Sequence, residues 1–167
     1  VDELRPNVRD VLNQFKSLDI NLKIVSGDAA ETVKSVAKGS GWSEPLHVIT
    51  GSELDEMDTE TFSNQVSACH LFARVSPQNK KDIITTLQSK GEYVSMIGDG
   101  VNDVLALKQS ELAVAMYAGN PMAKNVSDIL LTKNDFSTMP TVFNEGKIII
   151  QNICDSAKLF ITKNMIL

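Results

Sequence analysis

The residues best suited to chemistry in this sequence form one run, Gly98-Asp99-Gly100-Val101-Asn102-Asp103. Two carboxylates and an amide sit together between the apolar stretch YVSMI and a segment with helical spacing. Their oxygens are hard donors suited to Mg²⁺, which typically takes one or two carboxylates, keeps several waters and completes its shell with phosphate oxygens. The glycines flanking Asp99 let main chain approach an anion closely. A plain tight turn, with Asn102 or Asp103 capping the next helix, would use some of the same residues. The whole hexapeptide in its strand–turn–helix setting points instead to a metal and phosphate site.

Lys80 is the second candidate. On a helix opening at Ser76-Pro77, Lys80, Ile84 and Leu87 share one stripe, while Lys81, Thr85 and Gln88 face water. An ammonium at the inward end of a helix needs a negative partner, and a phosphoryl group beside Mg²⁺ carboxylates would supply one; a lysine snorkelling to solvent is the alternative. The third candidate is Ser26-Gly27-Asp28, between the strand-like NLKIV and a helix. Its hydroxyl and N–H groups suit a phosphate oxygen, although an ordinary helix cap has the same composition.

Elements that would position these groups can be read along the chain. Val8, Val11, Leu12 and Phe15 mark a helix over 6–18, with Pro6 in its first turn. NLKIV reads as a strand, and Ala30, Val33 and Ala37 as the buried stripe of a helix ending at Gly39 to Gly41. HVIT is strand-like, Ser52 and Thr59 are candidate caps of two short acidic helices, and LFARV is a strand before the Lys80 helix, which runs to Lys90. YVSMI reads as a fully buried strand, followed by a helix over 102–109, the strand ELAVAM, a short helix near Ala123 and the strand DILL. This alternation implies an α/β fold: a parallel sheet with helices on both faces. Ligands of such sheets sit beyond the carboxyl ends of the strands, where all three candidate loops fall.

Composition narrows the function classes. At 167 residues and 43% hydrophobic, the chain has enough material for a sizeable core. A net charge of −5 without a Lys/Arg run offers no footprint for nucleic acid. Cys69 and Cys154 lie far apart with no metal-ligand spacing, and His47 and His70 are isolated beside apolar residues, so all four read as structural. The N-terminus is not that of a signal peptide, and no run reaches the ~18 apolar residues of a membrane span.

In the order Ser26-Gly27-Asp28, then ARVSPQNK ending at Lys80, then MIGDGVNDVLALK, the sequence resembles the second half of the phosphorylation domain of P-type, ATP-driven cation pumps of bacterial type, a haloacid-dehalogenase-like, Rossmann-like fold. The resemblance covers nearly the whole chain. It implies chemistry in which an aspartate of a D-K-T-G segment attacks the γ-phosphate of ATP with the help of Mg²⁺, and the resulting aspartyl-phosphate is later hydrolysed. Residue by residue, Asp99 matches the Mg²⁺-binding aspartate, and Asn102 and Asp103 its partners, with Asp103 either on the metal or one step behind it. Lys80 matches the lysine that contacts the phosphoryl group. Ser26, Gly27 and Asp28 match the family's T-G-D loop, with serine retaining the hydroxyl. The implied catalytic set is Lys80, Ser26 and Asp103; the phosphate-binding set is Ser26, Gly27, Asp28, Lys80 and Asn102; the metal set is Asp99 and Asp103.

Departures from the family pattern are Glu3, where proline is usual in a D-P-x-R hinge segment matched by Asp2 and Arg5, and Ile97, where threonine is common. No D-K-T-G or T-G-E occurs in these residues, so the segment by itself is expected not to autophosphorylate. The resemblance divides the chain into a partial phosphorylation domain, 1–136, and a stalk helix, 137–167, leading toward a membrane span. It implies as partners the nucleotide-binding, actuator and transmembrane domains of the same polypeptide and a transported cation, with the segment lying on the cytoplasmic side of a membrane, the bacterial plasma membrane. Two other classes remain compatible with the residues: a soluble phosphatase of the same superfamily and a non-catalytic interaction module.

Overall fold

A computed structural model of the chain describes residues 7–133 and 135–165, with side chains through residue 162. The expected hinge residues Asp2 and Arg5, and Pro6 with its expected place in the first helix, lie outside the described residues, as does the side chain of Asn164 on the C-terminal helix. The chain divides into two compact units, Val1–Asp135 and Phe136–Leu167.

In the first unit, α1 (Val8–Ser17) buries Val11 and Phe15 and begins at Asn7, whose left-handed φ of 74° an asparagine tolerates. Then follow β1 (Ile24–Val25), α2 (Ala30–Ser40), β2 (Val48–Thr50), α3 (Gly51–Glu56), α4 (Thr59–Ala68), β3 (Leu71–Ala73) and α5 (Pro77–Ser89). The remainder is β4 (Ser95–Gly98), a single 3-10 turn at Val101–Asp103, α6 (Val104–Gln109), β5 (Leu112–Met116), α7 (Pro121–Asn125) and β6 (Ile129–Leu131).

All pairings are parallel, as the alternation requires, but the strands form two sheets of three, ordered β1-β3-β2 and β4-β5-β6. Among the described residues, β1 and β4, like β2 and β6, are therefore edges, each paired on one side only. Consistent with that, apolar Ile24, Val25, Met96 and Ile97 are only half-buried, which corrects the reading of YVSMI as a fully buried strand.

The central strand β3 shows how each face is covered. Its residues alternate sides: Leu71 and Ala73 pack with Val33 and Ala37 of α2, while Phe72 packs with Leu54, Val66 and Ile83 of α3, α4 and α5. Leu71, Phe72 and Ala73 are all inaccessible to solvent, so helices cover both sides of this strand. In the second sheet, Ala113 packs with Leu107 of α6 and Ala123 of α7.

Two expected helix caps differ. Thr50, not Ser52, caps α3, closing a reciprocal box with Glu53, and Asp58, not Thr59, caps α4 by accepting from the N–H groups of Glu60 and Thr61. Both acids precede or enter the helix where its free N–H groups point, so position relative to the first turn, rather than hydroxyl content, decides. Gln88 also departs from the reading: it is half-buried and donates to the Gln109 carbonyl.

The second unit consists of a 3-10 turn at Phe136–Thr138 and α8 (Met139–Met165). Along α8, Ile149, Ile150, Ile153, Leu159 and Phe160 are exposed. Among the described residues no helix is long and apolar enough to cross a membrane.

The caps carry a pH dependence. Donors from Thr61 hold the Asp58 carboxyl below its ordinary range, and those of Thr50 do the same for Glu53. A lowered folded-state pKa contributes stability that is complete above the ordinary carboxylate range and is lost as pH falls through the folded value. The thermal midpoint is therefore expected to hold from neutral pH to about pH 5 and to fall below about pH 4, less steeply in Asp58→Asn; an unchanged slope in that variant would remove Asp58 from the account.

Candidate functional site

The site starts with the cap of α5. Ser76 Oγ accepts from the Asn79 N–H at 3.1 Å, and Asn79 Oδ1 accepts in return from Ser76 N–H at 2.9 Å. Proline at the first position adds a preset φ. Asn79 is 6% exposed, and its Nδ2 donates to Asp55 of α3 at 2.6 Å. The start of α5 is thereby tied to its own cap and to a neighbouring helix. Sequence reading found Ser76-Pro77 but missed Asn79; the S-x-x-N spacing, a variant of the capping box, was the available signal.

With that end anchored, Lys80 points inward, as its stripe predicts, and is 8% exposed. Its Nζ donates to Asp103 Oδ1 at 2.6 Å, and the second Asp103 oxygen accepts from the Gly100 N–H at 3.1 Å. Asp103 is itself 9% exposed. A buried ammonium and carboxylate satisfy one another here, which lowers the cost of holding either in a water-poor place. Space also dictates sequence: a Cβ on Gly98 would lie 2.6 Å from the Asp103 Cβ, so only glycine lets that carboxylate fold back over the end of β4.

Asp99 and Asn102 are exposed, and neither side chain makes a hydrogen bond to any described residue. Asp99 thus presents a free carboxylate beside the Lys80–Asp103 pair along the chain. Among the described residues no three His, Cys, Asp or Glu side chains gather into a metal cage. That donor set suits an ion taking one carboxylate with water and phosphate oxygens, as Mg²⁺ does, rather than a structural metal. Each Asp103 oxygen accepts one hydrogen bond and keeps a further lone pair, so Asp103 could join a metal without losing either partner.

The third loop is built separately. Ser26 Oγ donates to Asp28 Oδ2 at 2.8 Å and accepts from the Asp28 N–H at 3.1 Å. Its main chain is tied to the segment between β3 and α5: Arg74 N–H donates to the Asp28 carbonyl at 2.9 Å and Val75 N–H to the Ser26 carbonyl at 3.2 Å. Arg74 adopts φ 50°, an uncommon conformation for a non-glycine residue, and a Cβ on Gly51 would collide with its carbonyl. Around Gly27 the space is open. Among the described residues, no hydrogen bond joins Ser26, Gly27 or Asp28 to Lys80, Asp99 or Asp103. The loops share the carboxyl ends of β1, β3 and β4, and the Lys80–Asp103 contact is the one side-chain link among the expected site residues of different loops.

Comparison with known proteins agrees with this architecture. Residues 1–111 match the hydrolase family described as haloacid dehalogenase-like hydrolase. The chain belongs to this family. It is 40% identical over 164 residues to the calcium-transporting ATPase CtpE of Mycolicibacterium smegmatis, matching 97% of this chain and 20% of that protein. It is 38% identical to calcium-transporting ATPase 1 of Saccharomyces cerevisiae (91% of this chain, 16% of that protein) and 36% identical to human calcium-transporting ATPase type 2C member 1 (92% and 17%). The chain therefore spans about a fifth of the length of these relatives. A solved catalytic domain of the CPx-ATPase CopB-B, studied for its conformational changes on nucleotide binding, superposes with a TM-score of 0.65 at 32% identity, over 85% of this chain and 46% of that one. The haloacid-dehalogenase-like fold and the likeness to cation-transporting ATPases thus agree with the expectation from the three motifs.

Two stability outcomes follow from the geometry. Asn79→Ala, which leaves the Ser76 N–H without its acceptor and removes the tie to Asp55, is expected to cost roughly 1–2 kcal/mol. Asp103→Ala leaves a buried ammonium unpaired and is expected to cost about 3–5 kcal/mol, whereas Lys80→Met combined with Asp103→Leu recovers most of it. Urea denaturation of the chain checks both; a double variant no more stable than Asp103→Ala would contradict the pairing.

Proposed function

We propose that this chain is part of the phosphorylation domain of a longer, P-type ATPase that couples ATP hydrolysis to cation transport. The single observation that carries this reading is the buried Lys80–Asp103 pair at 2.6 Å, formed four residues along the chain from the exposed Asp99 that follows β4. When bound, Mg²⁺ would supply a positive charge that neutralises phosphoryl oxygens and aligns them for in-line transfer. Asp99 is the proposed ligand. Asp103 holds Lys80 and the Gly100 N–H in place, and Lys80, already desolvated, is the cation that meets the phosphoryl group. Ser26, Gly27 and Asn102 offer a hydroxyl, an open main-chain approach and an amide to the remaining oxygens, and Asp28 orients the Ser26 hydroxyl.

The nucleophilic aspartate belongs, in this proposal, to a segment outside these residues. Among the described residues, edges β1 and β4 are each paired on one side only and both carry site loops at their carboxyl ends, so a parallel strand entering alongside them would bring its own carboxyl end to the same place. The apolar residues of α8, exposed by themselves, fit a helix that packs against other parts of a membrane-embedded protein on its cytoplasmic side. The calcium-transporting relatives make a cation the proposed cargo, held elsewhere in the polypeptide.

The test is phosphoenzyme formation from labelled ATP in the full-length protein, with this chain alone in parallel. The full-length protein is expected to take up label in a Mg²⁺-dependent way and the chain alone none. Lys80→Ala and Asp99→Ala should each lower phosphoenzyme formation or turnover by about a hundredfold or more. Normal labelling in both variants would sink the proposal, and a full-length protein free of hydrophobic spans would replace the pump with a soluble phosphatase.

A further inference from the structure

Ladder bonding between β4 and β5 ends at the pair Gly98–Ala115. One residue further, Asp99 has left the sheet, yet its main chain is not loose. The Asp99 carbonyl accepts a 2.7 Å hydrogen bond from the main-chain N–H of Asn120, in the loop between β5 and α7. Just before it, Gly119 lies flat against the same residue. A Cβ there would come to 2.9 Å from the Met116 carbonyl oxygen, 3.0 Å from the Asp99 carbonyl oxygen and 3.1 Å from the Asp99 Cα. All three are main-chain atoms that cannot swing aside as a side-chain tip would. The φ of Gly119 is outside the left-handed range, so the requirement for glycine here is one of space rather than of conformation.

Nothing in the local sequence of Asp99 demands these contacts, which reach it from about twenty residues away along the chain. Their effect is specific. Asp99 is exposed, its carboxylate has no hydrogen-bond partner among the described residues, and its neighbours Gly98 and Gly100 bring no side-chain packing. What fixes the direction of that carboxylate is therefore the placement of its backbone, which Gly119 and Asn120 clamp. We propose that Gly119 and the Asn120 N–H are positioning groups for Asp99, holding its carboxylate where it can take Mg²⁺. This rests on the assignment of Asp99 as the Mg²⁺ ligand. Groups that orient a ligand typically change metal affinity when altered, even though they never touch the ion.

The backbone of Asn120 provides a clean variant. Its φ of −61° and ψ of 139° are those of proline, so Asn120→Pro leaves residue 120 itself unstrained while it deletes the N–H and sets a ring carbon against the Asp99 carbonyl, which must move away. Asn120 Oδ1 also caps α7 by accepting from the Met122 N–H at 2.9 Å, and proline deletes that as well. Asn120→Ala deletes the cap and keeps the N–H, so the comparison between the two isolates the bond to Asp99.

The experiment measures Mn²⁺ binding, as a paramagnetic substitute for Mg²⁺, by EPR titration of the purified full-length protein with aluminium fluoride present. Asn120→Pro is expected to bind Mn²⁺ roughly tenfold to a hundredfold more weakly than Asn120→Ala, and Gly119→Ala to bind it more weakly than the parent by a similar factor. Asn120→Pro should melt at or somewhat below Asn120→Ala, since both lose the cap and only the proline variant loses the bond to Asp99, and Mn²⁺ affinities are compared at a temperature where both are folded. Should Gly119→Ala fail to fold, the Asn120 pair decides by itself. If Asp99→Asn loses Mn²⁺ while Asn120→Pro binds as Asn120→Ala does, the positioning role is overturned and the metal assignment stands. If Asp99→Asn binds as tightly as the parent, the metal assignment fails and the positioning role with it.

Discussion

A buried lysine and a buried aspartate facing one another organise the region around the end of β4. Neither charge is tolerable there without the other, because removing water from an unpaired ion costs several kcal/mol or more. The pairing forces a series of local choices. Glycine at 98 leaves room for the Asp103 carboxylate, the Gly100 N–H takes its second oxygen, and α5 must start where Ser76 and Asn79 fix it if Lys80 is to arrive at the right depth. A pair so costly to desolvate contributes little net stability compared with apolar residues of equal size.

Sites of this kind are built from loops, and loops need holding. Each of the three is secured to a distant segment: the Ser26 loop by main-chain bonds from Arg74 and Val75, the start of α5 by the side-chain bond of Asn79 to Asp55, and Asp99 by the main-chain bond from Asn120. Glycines 51, 98 and 119 stand where another backbone or the Asp103 side chain passes too close for a Cβ. Close approach, more than turn geometry, is what these glycines provide, and it lets short strands of two to five residues present rigid edges.

The division into two three-stranded sheets is the feature that most separates this chain from a self-sufficient parallel fold. Parallel strands are ordinarily buried on both faces and paired on both sides within the sheet. β3 and β5 meet that standard, whereas β1 and β4 are paired on one side only and keep apolar residues half-buried. The cation-transporting ATPases it resembles are several times longer than this chain.

Much of this was legible in the residues. Strand–helix alternation, the stripe that sends Lys80 inward, the Ser76-Pro77 start and the candidate turn at 98–103 are local patterns, because a period of 3.6 or 2 and a capping residue act over one or two turns of chain. The same reading misplaced the caps of α3 and α4, where Thr50 and Asp58 compete with hydroxyls only one or two positions away, and it took β4 for a buried strand because apolar content does not reveal whether an edge has a neighbour. What folding in three dimensions alone decided was which groups meet: Lys80 with Asp103 across 23 positions, Asn79 with Asp55 across 24, and Gly119 and Asn120 against Asp99. Those encounters depend on how separate elements stack, and a distance through space between remote residues leaves no periodic trace in the order of the amino acids.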